Sequence, residues 1–167
     1  MAEVAIRIAT LNDQDMISDL IAASYATLAA GAYEPEILAE ALPIMSQANP
    51  RLLSGGTYFV AEADGVPAGC GGWSFEAPGT GEMEEGIAHI RHFATHPGHL
   101  RKGIARLLLE HCLTGAAAAG ANVIKSQSTL PAEAFYASSG FRRVGPVEAE
   151  LAPDISIPAV EMIRELP

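Results

Sequence analysis

The stretch HPGHLRKGIARLLLEHC, His96–Cys112, decides how the chain is read. Ile104, Leu107, Leu108 and Leu109 follow Gly103 at helical spacing, and the spacing predicts a helix over about Lys102 to Ala119, ended by Gly120. The run before it, IAHIRHFAT (Ile87–Thr95), reads as a strand. The junction carries Arg101, Lys102 and Arg106, three of only ten Lys and Arg residues in a chain of net charge −10. The first amides of a helix lack intrahelical partners and sit at the positive end of its dipole. Gly103 lets an anion approach that backbone, and Ala105 is small enough to do the same. The turn is therefore either a phosphate site or a solvated basic helix start. It is neither a GxxxxGK[ST] loop nor a GxGxxG loop.

Downstream, ANVIKSQS (Ala121–Ser128) reads as a strand and PAEAFYASS (Pro131–Ser139) as a short helix stopped by Gly140. FRRVGP and PAVEMIREL read as late strands. Upstream, AIRIAT (Ala5–Thr10) alternates like a strand. A helix capped by Asn12 or Asp13 follows and is stopped by Gly31; PEILAEALPIM is a second helix, which Pro43 ends or bends. TYFVAE, the turn ADG and VPAGCGGWSFE form a hairpin. Gly69, Gly71 and Gly72 inside its second strand predict a bulge or a close approach by another segment or a ligand. The order is β-α-α-β-β-β-α-β-α-β-β, a mixed α/β pattern with no linker to divide it.

At 167 residues, with 49% hydrophobic and 18% charged residues, the chain suits one domain over 1–167 with a sizeable core. No leader-like start or membrane-length apolar run is visible, so a soluble, cytoplasmic protein is expected. An excess of acidic over basic residues argues against nucleic acid as the main partner. Cys70 and Cys112 stand apart in apolar contexts and read as buried free thiols. His89, His92, His96 and His99 invite a metal reading, but along an extended strand His92 and His96 lie more than about 10 Å apart. No Cys or carboxylate completes a set, so no metal is expected.

Two motifs then point to a family. HPGHLRKGIARLLLEHC resembles the acyl-CoA-binding motif [RQ]xxGxG/A of the GNAT superfamily of N-acetyltransferases, and AEAFYASSGF (Ala132–Phe141) resembles its second signature, AxxFYxxxGF. Their order and the element order also match. With Gly103 and Ala105 on the motif's small positions, Leu100 stands where the family has Arg or Gln, and the arginine is displaced to Arg101. Where the family often has Asn, seven residues before the signature Tyr, this chain has Thr129.

The resemblance implies a GNAT-like single domain: a central mixed, mostly antiparallel, twisted sheet flanked by helices. It implies acetyl-CoA as acyl donor and direct attack of an amine on the thioester. It places the acyl and pantetheine groups against the strand Phe93, Ala94 and Thr95, and the pyrophosphate at Arg101, Lys102, Gly103, Ile104, Ala105 and Arg106. Thr129 would supply a further hydrogen bond to the cosubstrate. Tyr136 is either the general acid for the leaving thiolate or a packing residue. His89 occupies a position that holds a catalytic Glu in some members, and alternation sets it on one face with Arg91, Phe93 and Thr95. It is either the base or a surface histidine; Glu82, Glu84, Glu85 and a water chain are rivals. Tyr25, Tyr33, Trp73 and Phe75 are candidates for an aromatic wall around the acceptor. A non-catalytic acyl-CoA-binding module is the rival function. The expected partner is a small or peptide amine, and the resemblance also implies a homodimer.

Overall fold

The computed structural model describes residues 3–167. Met1 and Ala2, the first residues of the stretch expected to lack a leader, lie outside the described residues. Strand β1 (Val4–Ile8) is followed by a 3-10 turn at Leu11–Asp13 and helix α1 (Gln14–Tyr25). Asp13 takes the N-cap position of α1 but makes no side-chain bond to its amides; its carboxylate fixes the 3-10 turn before the helix. Its carboxylate accepts from the Thr10 amide at 2.8 Å and from both terminal nitrogens of Arg7 at 2.8 and 2.9 Å. This is a capping box braced from the neighbouring strand. Gly31, at φ 109°, ends the 3-10 continuation of α1.

Helix α2 (Pro35–Met45) runs two residues past Pro43, which therefore does not end it. Near a helix C-terminus a missing N–H costs only one hydrogen bond, and the Ser46 amide still reaches the Leu42 carbonyl at 3.0 Å. A short helix that the sequence reading passed over, α3 (Pro50–Ser54), begins where the Asn49 side chain caps the Arg51 amide.

The hairpin β2 (Tyr58–Ala63) and β3 (Val66–Ser74) turns through Asp64 and Gly65, both at positive φ. Strand β4 (Ile87–Thr95), helix α4 (Ile104–Ala118) and strand β5 (Val123–Ser128) follow, then α5 (Glu133–Ser138) and the long hairpin β6 (Arg142–Ala152) and β7 (Ile155–Glu165). The seven strands form one sheet in the order β1-β2-β3-β4-β5-β7-β6. Every pairing is antiparallel except β4 with β5.

One sheet face is covered by α4 and α5, through Ile104, Leu108, Leu109, Cys112 and Tyr136, and by Phe141, which follows α5. On the other face α1 and α3 pack through Ile17, Leu20, Ile21 and Leu53 against Val60, Cys70 and Ala94, while α2 covers Ala149, Ile157 and Ala159 of the last hairpin. Gly69 lets α4 settle on β3: a Cβ there would lie 2.7 Å from Ile104 Cγ2. Both cysteines are buried and free.

Candidate active site

Strands β4 and β5 pair only at Ile87–Val123, Ala88–Ile124 and His89–Lys125. Beyond His89 they part, although β4 continues to Thr95 and β5 to Ser128. A cavity of about 1350 Å³ fills the opening and runs from the α4 N-terminus to α1, α2 and the β6–β7 hairpin.

The parting leaves β4 with amides to offer. The His96 amide donates to Ala68 of β3 at 2.8 Å, and Ala94 is paired with Cys70. Alternation then turns the Thr95 and Phe93 amides toward the edge from which β5 has departed.

A bulge sets the side chains here. Between the pairs Cys70–Ala94 and Gly72–Arg91, Gly71 alone faces two residues, His92 and Phe93, and His92 adopts φ 48°. Ala88 and Ile90 point to the α4 face, and so does Phe93, while Ala94 joins the α1 cluster. The face expected for His89, Arg91, Phe93 and Thr95 is thus divided: one extra residue reverses the alternation, and Phe93 lies opposite His89 and Arg91. Gly71 makes room for this, since a Cβ there would meet the Phe93 ring at 2.5 Å.

At the far end of β4, Arg101 (φ 63°) and Gly103 (φ 76°) bend the chain into α4. Gly103 is needed for its backbone angle, because nothing lies within 4 Å of a Cβ built there. The Leu107 amide is the first in the helix to reach back, to the Gly103 carbonyl at 3.0 Å, so the amides of Ile104, Ala105 and Arg106 are open toward the cavity.

Of the residues singled out from sequence, Phe93, Ala94, Thr95, Arg101, Gly103, Ile104, Ala105, Arg106, Thr129 and Tyr136 all line this one cavity. Lys102 does not; its Nζ lies 3.1 Å from His99 Nδ1 on the exposed side of the turn. His89 also stands outside, at the last paired rung, and Glu82, Glu84 and Glu85 lie on an exposed loop. Burial first, then the charges of Lys125 and Arg91, lowers the His89 pKa below the ordinary imidazole value.

Tyr136 is buried between the rings of Phe135 and Phe141, with centroids 5.1 and 5.3 Å away. Burial raises its phenol pKa, against a smaller opposing effect of the Ser126 hydroxyl, so it stays protonated at neutral pH. Among the expected aromatics, Tyr25, Trp73 and Phe75 reach the cavity, whereas Tyr33 does not. Tyr33 instead donates to the Pro158 carbonyl at 2.7 Å and accepts from the Leu130 amide at 3.0 Å, tying the loop that carries Thr129 to β7.

Sequence reasoning missed three polar residues on the cavity wall: Arg51, Gln127 and Glu150. Arg91 was visible only as a strand residue. The motif is local and legible; the opposite wall is assembled from many separate segments with no shared spacing. Among the described residues no three metal-ligating side chains gather, and no helix is long and apolar enough to cross a membrane.

Comparison with known proteins agrees with this architecture. The acetyltransferase (GNAT) domain model matches residues 54–143. No curated protein sequence matches the chain. A structure from Rhodopseudomonas palustris described as a GCN5-related N-acetyltransferase superposes with a TM-score of 0.80 at 21% identity, covering 99% of this chain and 98% of that one. The PaiA N-acetyltransferase of Thermoplasma acidophilum, solved with coenzyme A, gives 0.72 at 16% identity over 98% and 99% of the two chains. N-acetylglutamate synthase of Neisseria gonorrhoeae, solved with coenzyme A and N-acetyl-glutamate, gives 0.66 at 21% identity, covering all of this chain but 36% of the synthase. With a sheet that parts beside a glycine-led helix, and a family model spanning residues 54–143, the chain belongs to the GNAT family of acetyltransferases, whose chemistry is acyl transfer.

Proposed function

We propose that the chain is an acetyl-CoA-dependent N-acetyltransferase in which a neutral primary amine attacks the thioester directly. The observation that carries the reading is the parted β4–β5 edge: unpaired strand amides at Phe93 and Thr95, an open helix start at Gly103, and the Tyr136 ring bordering one cavity. The coenzyme-A complexes of the Thermoplasma and Neisseria relatives support the donor.

The amides of Ile104, Ala105 and Arg106 would hold the pyrophosphate, with Arg101 and Arg106 adding charge. A strand amide from Phe93 would stabilise the oxyanion that develops as the amine adds. The new C–N bond forms, the C–S bond breaks, and Tyr136 passes its proton to the leaving sulfur. The ammonium proton goes to water, and water returns one to Tyr136; of the expected bases, neither His89 nor the carboxylates of Glu82, Glu84 and Glu85 line the cavity. That same absence favours the second reading, a non-catalytic acyl-CoA-binding module.

Two measurements separate them. A thermal melt with acetyl-CoA, free CoA and ATP tests binding: about 2.7 kcal/mol of added stability is expected at 100 times the dissociation constant. Thiol release with an amine panel then tests turnover. A shift without turnover on any amine supports the module; no shift with acetyl-CoA overturns both.

A further inference from the structure

We propose that the acceptor is a small amine carrying a carboxylate, an amino acid, and that Arg91 binds that carboxylate. The inference rests on the N-acetyltransferase reading above and names its substrate class.

Arg91 lines the cavity one residue before the bulge, and its guanidinium is half-buried. One terminal nitrogen donates to the Ser74 hydroxyl at 2.8 Å and to the Glu76 carbonyl at 3.2 Å. Both acceptors are neutral. Among the described residues Arg91 makes no ion pair, and its other terminal nitrogen and Nε have no protein acceptor. The nearby Glu76 carboxylate is engaged by Arg51, at 3.0 Å.

That carboxylate attracts Arg91 without touching it; a partly buried cation that makes no contact ion pair is costly, and a braced guanidinium with two free donors matches a planar carboxylate in its fork. The surroundings sharpen the choice. The protein carries net charge −10, yet this part of the cavity holds Arg51 and Arg91 against the single, already paired Glu76. A polyamine would be repelled there. Glu150, the other carboxylate on the cavity wall, is exposed beside Gly79 and forms no ion pair, which suits an arriving ammonium group. Opposite charges at the two places fit a zwitterion.

The test compares kcat/KM, with acetyl-CoA as donor, for each common amino acid, its carboxamide and its decarboxylated amine. In the best series the free acid should exceed its carboxamide by about ten-fold or more, the span of a charge-assisted hydrogen bond. In Arg91→Gln that ratio should fall to near one while the acetyl-CoA dissociation constant stays within about three-fold. Arg91→Lys should keep part of the ratio, having charge but no fork. Ser74→Ala, a gentler change, should lower it through looser bracing.

Carboxamides or plain amines equalling the acids in every series would overturn the proposal. So would an unchanged ratio in Arg91→Gln. If acetyl-CoA binds but no amino acid is acetylated, the carboxylate assignment falls and acyl-CoA binding stands. If acetyl-CoA does not bind, the functional reading falls and takes the proposal with it.

Discussion

The hydroxyl of Tyr58 donates to the carbonyl oxygen of His92 at 2.7 Å, so a wholly buried tyrosine on β2 reaches across β3 to hold the bulge in β4. Tyr58→Phe leaves that carbonyl unsatisfied, at a cost of about 1–3 kcal/mol. The bulge also directs the Phe93 amide. Urea unfolding should show the loss of stability, and acetyl-CoA titration should show weaker binding in the same folded variant.

Gly103 should tolerate no side chain without a penalty in binding. Its positive φ makes any L-residue strained by about 1–2 kcal/mol, although space is open around it. Gly103→Glu adds a negative charge where the amides of α4 are open. A rise of about ten-fold or more in the acetyl-CoA dissociation constant is expected by calorimetry. An unchanged constant in the folded variant would remove the anion site.

Tyr136→Phe keeps the ring between Phe135 and Phe141 and removes only the proton donor. Turnover should fall about 100-fold, within the usual range for a lost general acid. The acetyl-CoA dissociation constant should move far less. Wild-type turnover would leave Tyr136 a packing residue.

Acid should lower the stability of the fold in two stages. Burial, with the charge of Arg91, lowers the His92 pKa to about 4, so the unfolded chain binds the proton first. That part of the stability is complete above about pH 6.5 and is lost as pH falls toward about 4. Arg7 holds the Asp13 carboxyl down to about 2, so its contribution is complete above the unfolded value near about 4 and is lost as pH falls through about 2. Arg7 is 40% exposed, and solvent screening keeps the second contribution to the order of 1 kcal/mol. Asp13→Asn should flatten the lower stage alone in a series of urea midpoints against pH.

The parts of the fold visible in the sequence are those with a local cause. The helical period after Gly103, the Asp64–Gly65 turn and the Pro35 start each act within a few residues, and each element appears where its pattern lies. The last hairpin is longer than its pattern. Gly145 and Pro146 suggest an end at FRRVGP, but β6 is an edge strand and tolerates a residue without an N–H. The His92 bulge had no local signature, because histidine has no need of a positive φ. Its compensation is visible on the preceding strand, as Gly71, but only the pairing register joins the two. For the same reason the resemblance matches His89 to the site, whereas the register leaves it outside.

The three rungs between β4 and β5 have a mechanical consequence. Among the described residues they are the only ladder joining β1–β4 to β5–β7, and one hydrophobic cluster packs across the back of both. The sheet is therefore a pair of panels on a short seam, and a twist of one against the other would widen or narrow the gap at its open end. A molecule lying along that gap would act as an eighth strand, bonded to the edge of one panel and wedged against the other. Amide exchange at Ser126–Ser128 and at Phe93–Thr95 should then slow together on acetyl-CoA binding, as two panels become one plate.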